Sequence, residues 1–186
     1  MTADALLKKH GAITIVPTGR AGVPSIVELV TGGPIRGSWW AHPKGKEIFR
    51  VATELEESGR VLSAKLIDGK VTLLDRPHWP ALYRVVTDDA WRRPRIASLA
   101  AAHKALLDEV EREDVVPTQA QTGARKALEE RLLVRAASEH TDRGHHATTL
   151  SSWARWCPAG VASSARALTL AQAEEAMTRV LGGPLP

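Results

Sequence analysis

An Asp-Gly pair at residues 68 and 69 separates two runs in which apolar and polar residues alternate, 60–67 and 70–75. Asp-Gly in this setting predicts a β-hairpin with a two-residue turn, because both turn residues must adopt positive φ. Such a turn also fixes the register of the two strands. The predicted pairs are Ile67 with Lys70, Leu66 with Val71, Lys65 with Thr72, and Ala64 with Leu73. One face of the hairpin would then be apolar, and the other would carry Lys65 and Lys70.

The segment that precedes the hairpin, residues 43–58, has the clearest helical pattern in the chain. Ile48, Val51, Ala52 and Leu55 are spaced i, i+3, i+4 and i+7, so they form one apolar stripe. Gly59 is placed to end the helix. We therefore predict an amphipathic helix that packs through this stripe.

Three predicted helices and one strand precede the hairpin. The helices cover residues 3–9, 24–30 and 43–58, and the strand covers 12–16. Helix, strand, helix, helix and hairpin is the order of a winged-helix domain, a variant of the helix-turn-helix. The segment 31–42 is much longer than a turn of three or four residues, so either the match is partial or this segment is a functional insertion.

The second half of the chain is predicted to be helical. Residues 80–86, 96–113, 124–139 and 148–156 show helical patterns, and a last helix starts at a capping box formed by Thr169 and Gln172. A basic segment, residues 91–95, is the expected linker. We predict an α+β, mainly α protein with a winged-helix-like basic domain over 1–90 and a helical domain over 91–186.

The excess of positive over negative charge is confined to the first half of the chain. Residues 1–96 contain 15 Lys and Arg against 10 Asp and Glu, whereas residues 97–186 contain 10 against 11. A local basic field favours polyanions such as nucleic acid. Solubility is the simpler explanation of the same excess.

Charge along the helix predicted at 43–58 runs against the helix dipole. Lys44, Lys46 and Arg50 occupy its amino-terminal half, and three glutamates occupy its carboxyl-terminal half. The dipole prefers the reverse order by about 0.3–1 kcal/mol per charge. Free N–H groups with lysines at this end predict a site for a phosphate of a nucleic-acid backbone, to which Arg36 could contribute.

Two adjacent tryptophans, Trp39 and Trp40, precede this helix. Adjacent side chains point in different directions, so we expect one of the two to be accessible. An exposed indole beside a phosphate site could stack on a base, which is worth about 1–3 kcal/mol. The alternative is that both indoles pack the segment onto the core, as we expect for Trp79, Trp91, Trp153 and Trp156.

Histidines near residues 140–146 are the other candidates for chemistry. His140, His145 and His146 lie near Glu139 and Asp142, a combination that suits acid–base work. Neither HExxH nor CxxC is present, and Cys157 is the only cysteine, so we predict no metal and no cofactor. A polar corner between two helices explains the same residues.

Three segments, GSWWAHPKGKEIF, KLIDGKVTLLDRPHWPAL and EHTDRGHH, resemble a group of uncharacterised bacterial proteins that carry SWW-x-HP, KL-x-x-GKVT and HT-x-x-G-x-H. The resemblance covers most of the chain and brings no activity with it. It implies that both halves form one working unit, with the histidine segment near Trp39 and Trp40.

The sequence therefore predicts a protein that binds nucleic acid, with DNA as the first choice. The expected contacts are Arg36, Trp39, Trp40, Lys44, Lys46, Arg50, Lys65 and Lys70. One alternative is an enzyme that processes DNA on the same surface, with His42, Lys44, His140 or His146 as catalytic candidates. Another is a helical scaffold whose tryptophans anchor a partner. Because no apolar run has the length of a membrane span or a signal peptide, we expect a cytoplasmic protein without a membrane partner.

Overall fold

The structure of the protein is a computed structural model, and it describes residues 2–113, 115–117, 122–140 and 146–186. Over these ranges the chain is an α+β protein with ten α-helices and two three-stranded antiparallel sheets. The helices are α1 (Ala3–His10), α2 (Ile26–Thr31), α3 (Gly45–Glu57), α4 (Trp79–Val86), α5 (Asp89–Ala97), α6 (Ala101–Glu113), α7 (Thr122–Glu130), α8 (Trp153–Trp156), α9 (Val161–Arg166) and α10 (Leu170–Leu181). The strands are β1 (Ala12–Thr14), β2 (Val61–Ile67), β3 (Lys70–Asp75), β4 (Val115–Pro117), β5 (Arg135–His140) and β6 (His146–Ser151).

The first sheet has the order β1-β3-β2, and helices cover both of its faces. Leu73 of β3 points to one face, where it joins a core with α1, α2 and α3. Leu74, the next residue, points to the other face and packs with α4 and α10. Because successive strand residues alternate between faces, one central strand serves two cores.

The β2–β3 hairpin turns at Asp68 and Gly69, as predicted, and Ile67 pairs with Lys70. Beyond that pair the predicted register is wrong by one residue. A bulge between Ala64 and Ile67 places Ala64 opposite Thr72 rather than Leu73. The extra residue in β2 exchanges the faces of the residues that follow. Thr72 of the central strand β3 is buried, and Val71, expected on the apolar face, is exposed.

The second sheet, with the order β4-β6-β5, corrects the prediction of a helical second half. The helix predicted over 124–139 ends at Glu130 in α7, and the chain continues into strand β5. The helix predicted over 148–156 is strand β6 followed by the short α8. Leu106 of α6, Leu128 of α7 and Leu150 of β6 form the core behind this sheet.

Two further segments differ from the prediction. Residues 91–95, expected to be a linker, lie inside α5, where Trp91 is buried. Residues 157–167, for which no helix was predicted, contain α9. The capping box of Thr169 and Gln172 is confirmed at the start of α10.

The last helix, α10, packs against α4. Ala173, Met177 and Leu181 of α10 are buried in the same core as Leu74 and Leu82. Ala12, near the start of the described chain, belongs to this core as well, so residues near both ends of the chain share one core.

Candidate nucleic-acid interface

The segment between α2 and α3 carries Trp39 and Trp40 in a single 3-10 turn that leads into α3. Gly45, the first residue of α3, lies directly against this turn. A Cβ atom at position 45 would come within 2.9 Å of the Trp39 carbonyl oxygen and 3.1 Å of the Trp40 carbonyl oxygen. Only glycine allows so close an approach without a shift of the backbone. Gly45 thus allows the backbone of the turn that carries the two tryptophans to pack directly against the amino end of α3.

The two indoles form a stack that runs outward from the core. Trp39 is half-buried against the core that includes Ile48, and its ring centroid lies 3.9 Å from that of Trp40, with 26° between the planes. Trp40 itself is 64% exposed. This confirms the prediction that one of the two adjacent tryptophans is accessible.

Phe49 also contacts Trp40, with ring centroids 5.6 Å apart and 41° between the planes. It is 47% exposed and lies beside the buried stripe of α3 rather than within it. Phe49 was not among the predicted site residues. The available signal was its position outside the i, i+3, i+4 stripe, because an aromatic residue that flanks the stripe does not fill the core.

The cationic side chains of the segment differ in their partners. Lys46 is exposed and makes no ion pair or hydrogen bond with any described residue. Arg50, one turn further along α3, is exposed but pairs with Glu54 at 2.5 Å. Lys44 donates from Nζ to the Val30 carbonyl oxygen at 2.7 Å, so it joins the end of α2 to the start of α3. Arg36 is exposed in the coil before the tryptophans.

The β2–β3 hairpin presents only one of its two predicted lysines to solvent. Lys70 is exposed next to the turn. Lys65 instead forms an ion pair with Glu129 of α7, a carboxylate that is only 7% exposed. The turn of the hairpin is also tied to the segment that follows β1, because Arg20 pairs with Asp68 at 3.1 Å. The hairpin is therefore packed against other parts of the protein along the side that carries Lys65.

The candidate catalytic residues fall in two places. His42 accepts a hydrogen bond at Nδ1 from the backbone N–H of Lys44 at 3.1 Å, and neither side chain contacts a carboxylate of the described residues. His140 of β5 and His146 of β6 are backbone register partners. Residues 141–145, which include His145 and Asp142, lie outside the described residues, so the expected proximity of this segment to Trp39 and Trp40 stays a prediction.

No group of three or more His, Cys, Asp or Glu side chains comes together as metal ligands within the described ranges. Among the described helices, none has the length and apolar character that crossing a bilayer requires. Comparison with family models, with curated proteins and with solved structures gave no match to this chain. The site must therefore be interpreted from its own chemistry.

Proposed function

We propose that this protein binds nucleic acid, DNA in the first instance, through a basic aromatic surface. We define that surface by six residues of the segment before α3 and of α3 itself: Arg36, Trp39, Trp40, Lys46, Phe49 and Arg50. The observation that carries the proposal is the exposure of Trp40, which stacks on Trp39 at the start of the helix that carries the exposed Lys46, whose ammonium has no partner among the described residues.

A surface of this composition matches the two parts of a nucleotide. An exposed indole stacks on a base with about 1–3 kcal/mol, and every base offers a flat face for it. Lysine and arginine side chains neutralise phosphates and release counterions. Lys46 and Arg50 lie one turn apart on α3, so they can reach neighbouring phosphates.

The arrangement of elements around the surface supports the same proposal. The order α1-β1-α2-α3-β2-β3, with the sheet order β1-β3-β2, is compatible with a winged-helix domain. In helix-turn-helix proteins the recognition helix enters the major groove with its amino-terminal residues at the bases. Here that helix would be α3, whose amino end carries the tryptophans, and Lys70 of the hairpin would lie along the backbone.

The test is binding to duplex and to single-stranded DNA across a series of salt concentrations. We expect affinity to fall linearly on a log–log plot as salt increases, because phosphate contacts release counterions. Lys46→Ala should weaken binding to all sequences alike and reduce the salt slope by about 1. Lys104→Ala, on α6 and outside the surface, is the matched control and should change neither quantity.

Lys46 is a better probe than Lys44. Lys44→Ala would also remove the hydrogen bond to the Val30 carbonyl and loosen the junction of α2 and α3. If no DNA binds even at low salt, or if Lys46→Ala and Lys104→Ala behave alike, the proposed surface is wrong.

A further inference from the structure

Trp40 is the residue of the basic aromatic surface that distinguishes one form of DNA from another. Lysine and arginine side chains contact the phosphates of single strands and of duplexes alike. An indole stacks only on a base whose flat face is open. In a double helix both faces of each internal base are covered by its neighbours, so an internal base must leave the stack before a side chain can cover it. The geometry around Trp40 therefore determines which form the surface selects.

One face of the Trp40 indole is covered, and the other is open. Trp39 lies against it with 3.9 Å between the ring centroids and 26° between the planes, so the two rings are stacked. Phe49 meets Trp40 at an angle of 41°, so the phenyl ring does not lie flat on the indole. Trp40 is nevertheless 64% exposed. Because Trp39 covers one face, so large an exposed fraction requires that most of the opposite face is open.

A single open face excludes one way of contacting a duplex. A side chain that wedges into a base step has a base on each of its faces. Trp40 cannot accept a second base, because Trp39 occupies that face and is itself half-buried against the core that includes Ile48. Trp40 can therefore cover one base from one side only. A base that is open in this way lies in a single strand or at an unpaired strand end.

Backbone hydrogen bonds hold the turn that carries the stack. The N–H of Ala41 donates to the Ser38 carbonyl oxygen at 3.2 Å, and the N–H of His42 donates to the Trp39 carbonyl oxygen at 3.1 Å. The N–H of Gly45 donates to the His42 carbonyl oxygen at 2.8 Å, which joins the turn to the start of α3. A binding surface that is already ordered loses less conformational freedom when its ligand binds.

The exposed cations of α3 lie on the same side of the helix as the tryptophan stack. Lys46, Phe49 and Arg50 are spaced i, i+3 and i+4, so their side chains are neighbours on one side of α3. Phe49 contacts Trp40, which identifies this side as the one next to the stack. A nucleotide whose base covers Trp40 therefore has cationic side chains beside it for its phosphates.

From this arrangement we infer that the basic aromatic surface selects unpaired DNA, either a single strand or the single-stranded end of a duplex. One base stacks on the open face of Trp40, and Lys46 and Arg50 contact the phosphates beside that base. The inference rests on the proposed function and adds to it the form of DNA that the surface prefers. A duplex without an open end should bind through phosphate contacts alone.

Three unlabelled DNA probes test the inference in competition with one labelled single strand. The first is a single strand of about twelve nucleotides, which is within the site sizes of single-strand binding proteins. The second has the same number of phosphates but an abasic sugar at every position. The third is a duplex whose two ends are closed by polyethylene glycol linkers. We expect the native chain to bind the single strand roughly 5- to 150-fold more tightly than the abasic strand, the factor that one stacked base supplies.

Variants of two residues separate stacking from charge. Trp40→Ala should bind the single strand and the abasic strand alike, and its affinity for the closed duplex should equal that of the native chain. Trp40→Phe keeps a flat ring and should retain part of the preference for bases. Lys46→Ala is the matched control, and it should weaken binding of all three probes by a similar factor because each probe carries phosphates.

The outcomes distinguish this inference from the proposed function. If none of the three probes binds even at low salt, both are wrong. If the probes bind but the native chain holds the single strand and the abasic strand equally, the inference alone is wrong. It is also wrong if Trp40→Ala loses as much affinity for the closed duplex as for the single strand, because Trp40 would then act without an open base.

Discussion

Removal of Glu54 should make the protein bind DNA more tightly. Glu54 lies one turn beyond Arg50 on α3, and its carboxylate pairs with the Arg50 guanidinium at 2.5 Å. A phosphate that docks at Arg50 must either share the guanidinium with the Glu54 carboxylate or displace that carboxylate. Glu54→Gln keeps the size of the side chain while removing the competing charge.

The expected gain follows from the exposure of the pair. Both side chains are close to 60% exposed, so the ion pair itself contributes only about 0.3–0.5 kcal/mol. A carboxylate about 8 Å from a docked phosphate adds repulsion of about 0.5 kcal/mol in water before screening, and roughly half of that or less in physiological salt. Together these contributions predict an affinity roughly 2- to 5-fold higher for Glu54→Gln.

Fluorescence anisotropy with a labelled duplex, at low and at physiological salt, measures this gain. Glu175→Gln is the matched control, because Glu175 pairs with Arg179 on α10 in the same i, i+4 arrangement at 2.7 Å. Both variants change the net charge of the chain by the same amount. Both should leave the melting temperature close to that of the native chain, since each is an exposed substitution.

Two results would refute this reasoning. If both variants tighten binding equally, the gain comes from net charge and not from release of Arg50. If Glu54→Gln binds no better than the native chain while DNA binding itself is intact, then Arg50 does not meet a phosphate.

The remaining predictions concern binding, stability and pH. Trp40→Ala should weaken binding to single-stranded DNA by roughly 5- to 150-fold, which corresponds to 1–3 kcal/mol of stacking, with little change in melting temperature because the side chain is 64% exposed. Trp153→Phe should lower the free energy of unfolding in urea by at least about 1–3 kcal/mol, because the buried indole N–H donates to the Leu132 carbonyl at 2.7 Å and that oxygen would lose its donor. Burial lowers the pKa of His78 below its ordinary value of 6.5, against an opposing effect of Asp75, so the unfolded chain takes up a proton first as the pH falls. The melting temperature should therefore fall as the pH decreases from 6.5 towards the lowered pKa of the folded state, and His78→Gln should flatten that part of the profile; an unchanged profile would contradict the assignment.

Local patterns were sufficient to predict the elements around the candidate surface. The buried stripe of α3 consists of Ile48, Ala52 and Leu55, with Val51 half-buried at its side, as the 3.6-residue period requires. The Asp68-Gly69 turn followed from the positive φ that both residues adopt. These signals act within a few residues, so a single sequence contains them in full.

The error over residues 124–151 has a long-range cause. Leu128 and Leu132 continue a helical spacing, yet Leu132 has a φ of 52°, a left-handed conformation that a helix interior does not contain. The indole of Trp153 donates to the carbonyl of Leu132 from 21 residues away, where both side chains are buried. No glycine marks this turn, so no local pattern could predict it.

The partners of the cationic residues were also beyond local prediction. Lys65 lies on the predicted polar face of β2. Helix α7 covers that face, however, and brings Glu129 into contact with Lys65. Phe49 was overlooked for a different reason. Phe49 carries no charge and is the single phenylalanine of the chain, so its only local signal is a helical position outside the apolar stripe.

The packing of α10 against α4 affects how the nascent chain acquires its structure on the ribosome. Leu82 and Val85 are sealed partly by Met177 and Leu181, which are translated about 95 residues later. At elongation rates of about 5–20 residues per second, this apolar face of α4 stays uncovered for roughly 5–20 s after its synthesis. Until then the emerging polypeptide exposes a surface that chaperones recognise, so its early biogenesis should depend on holding factors more than its modest size would suggest.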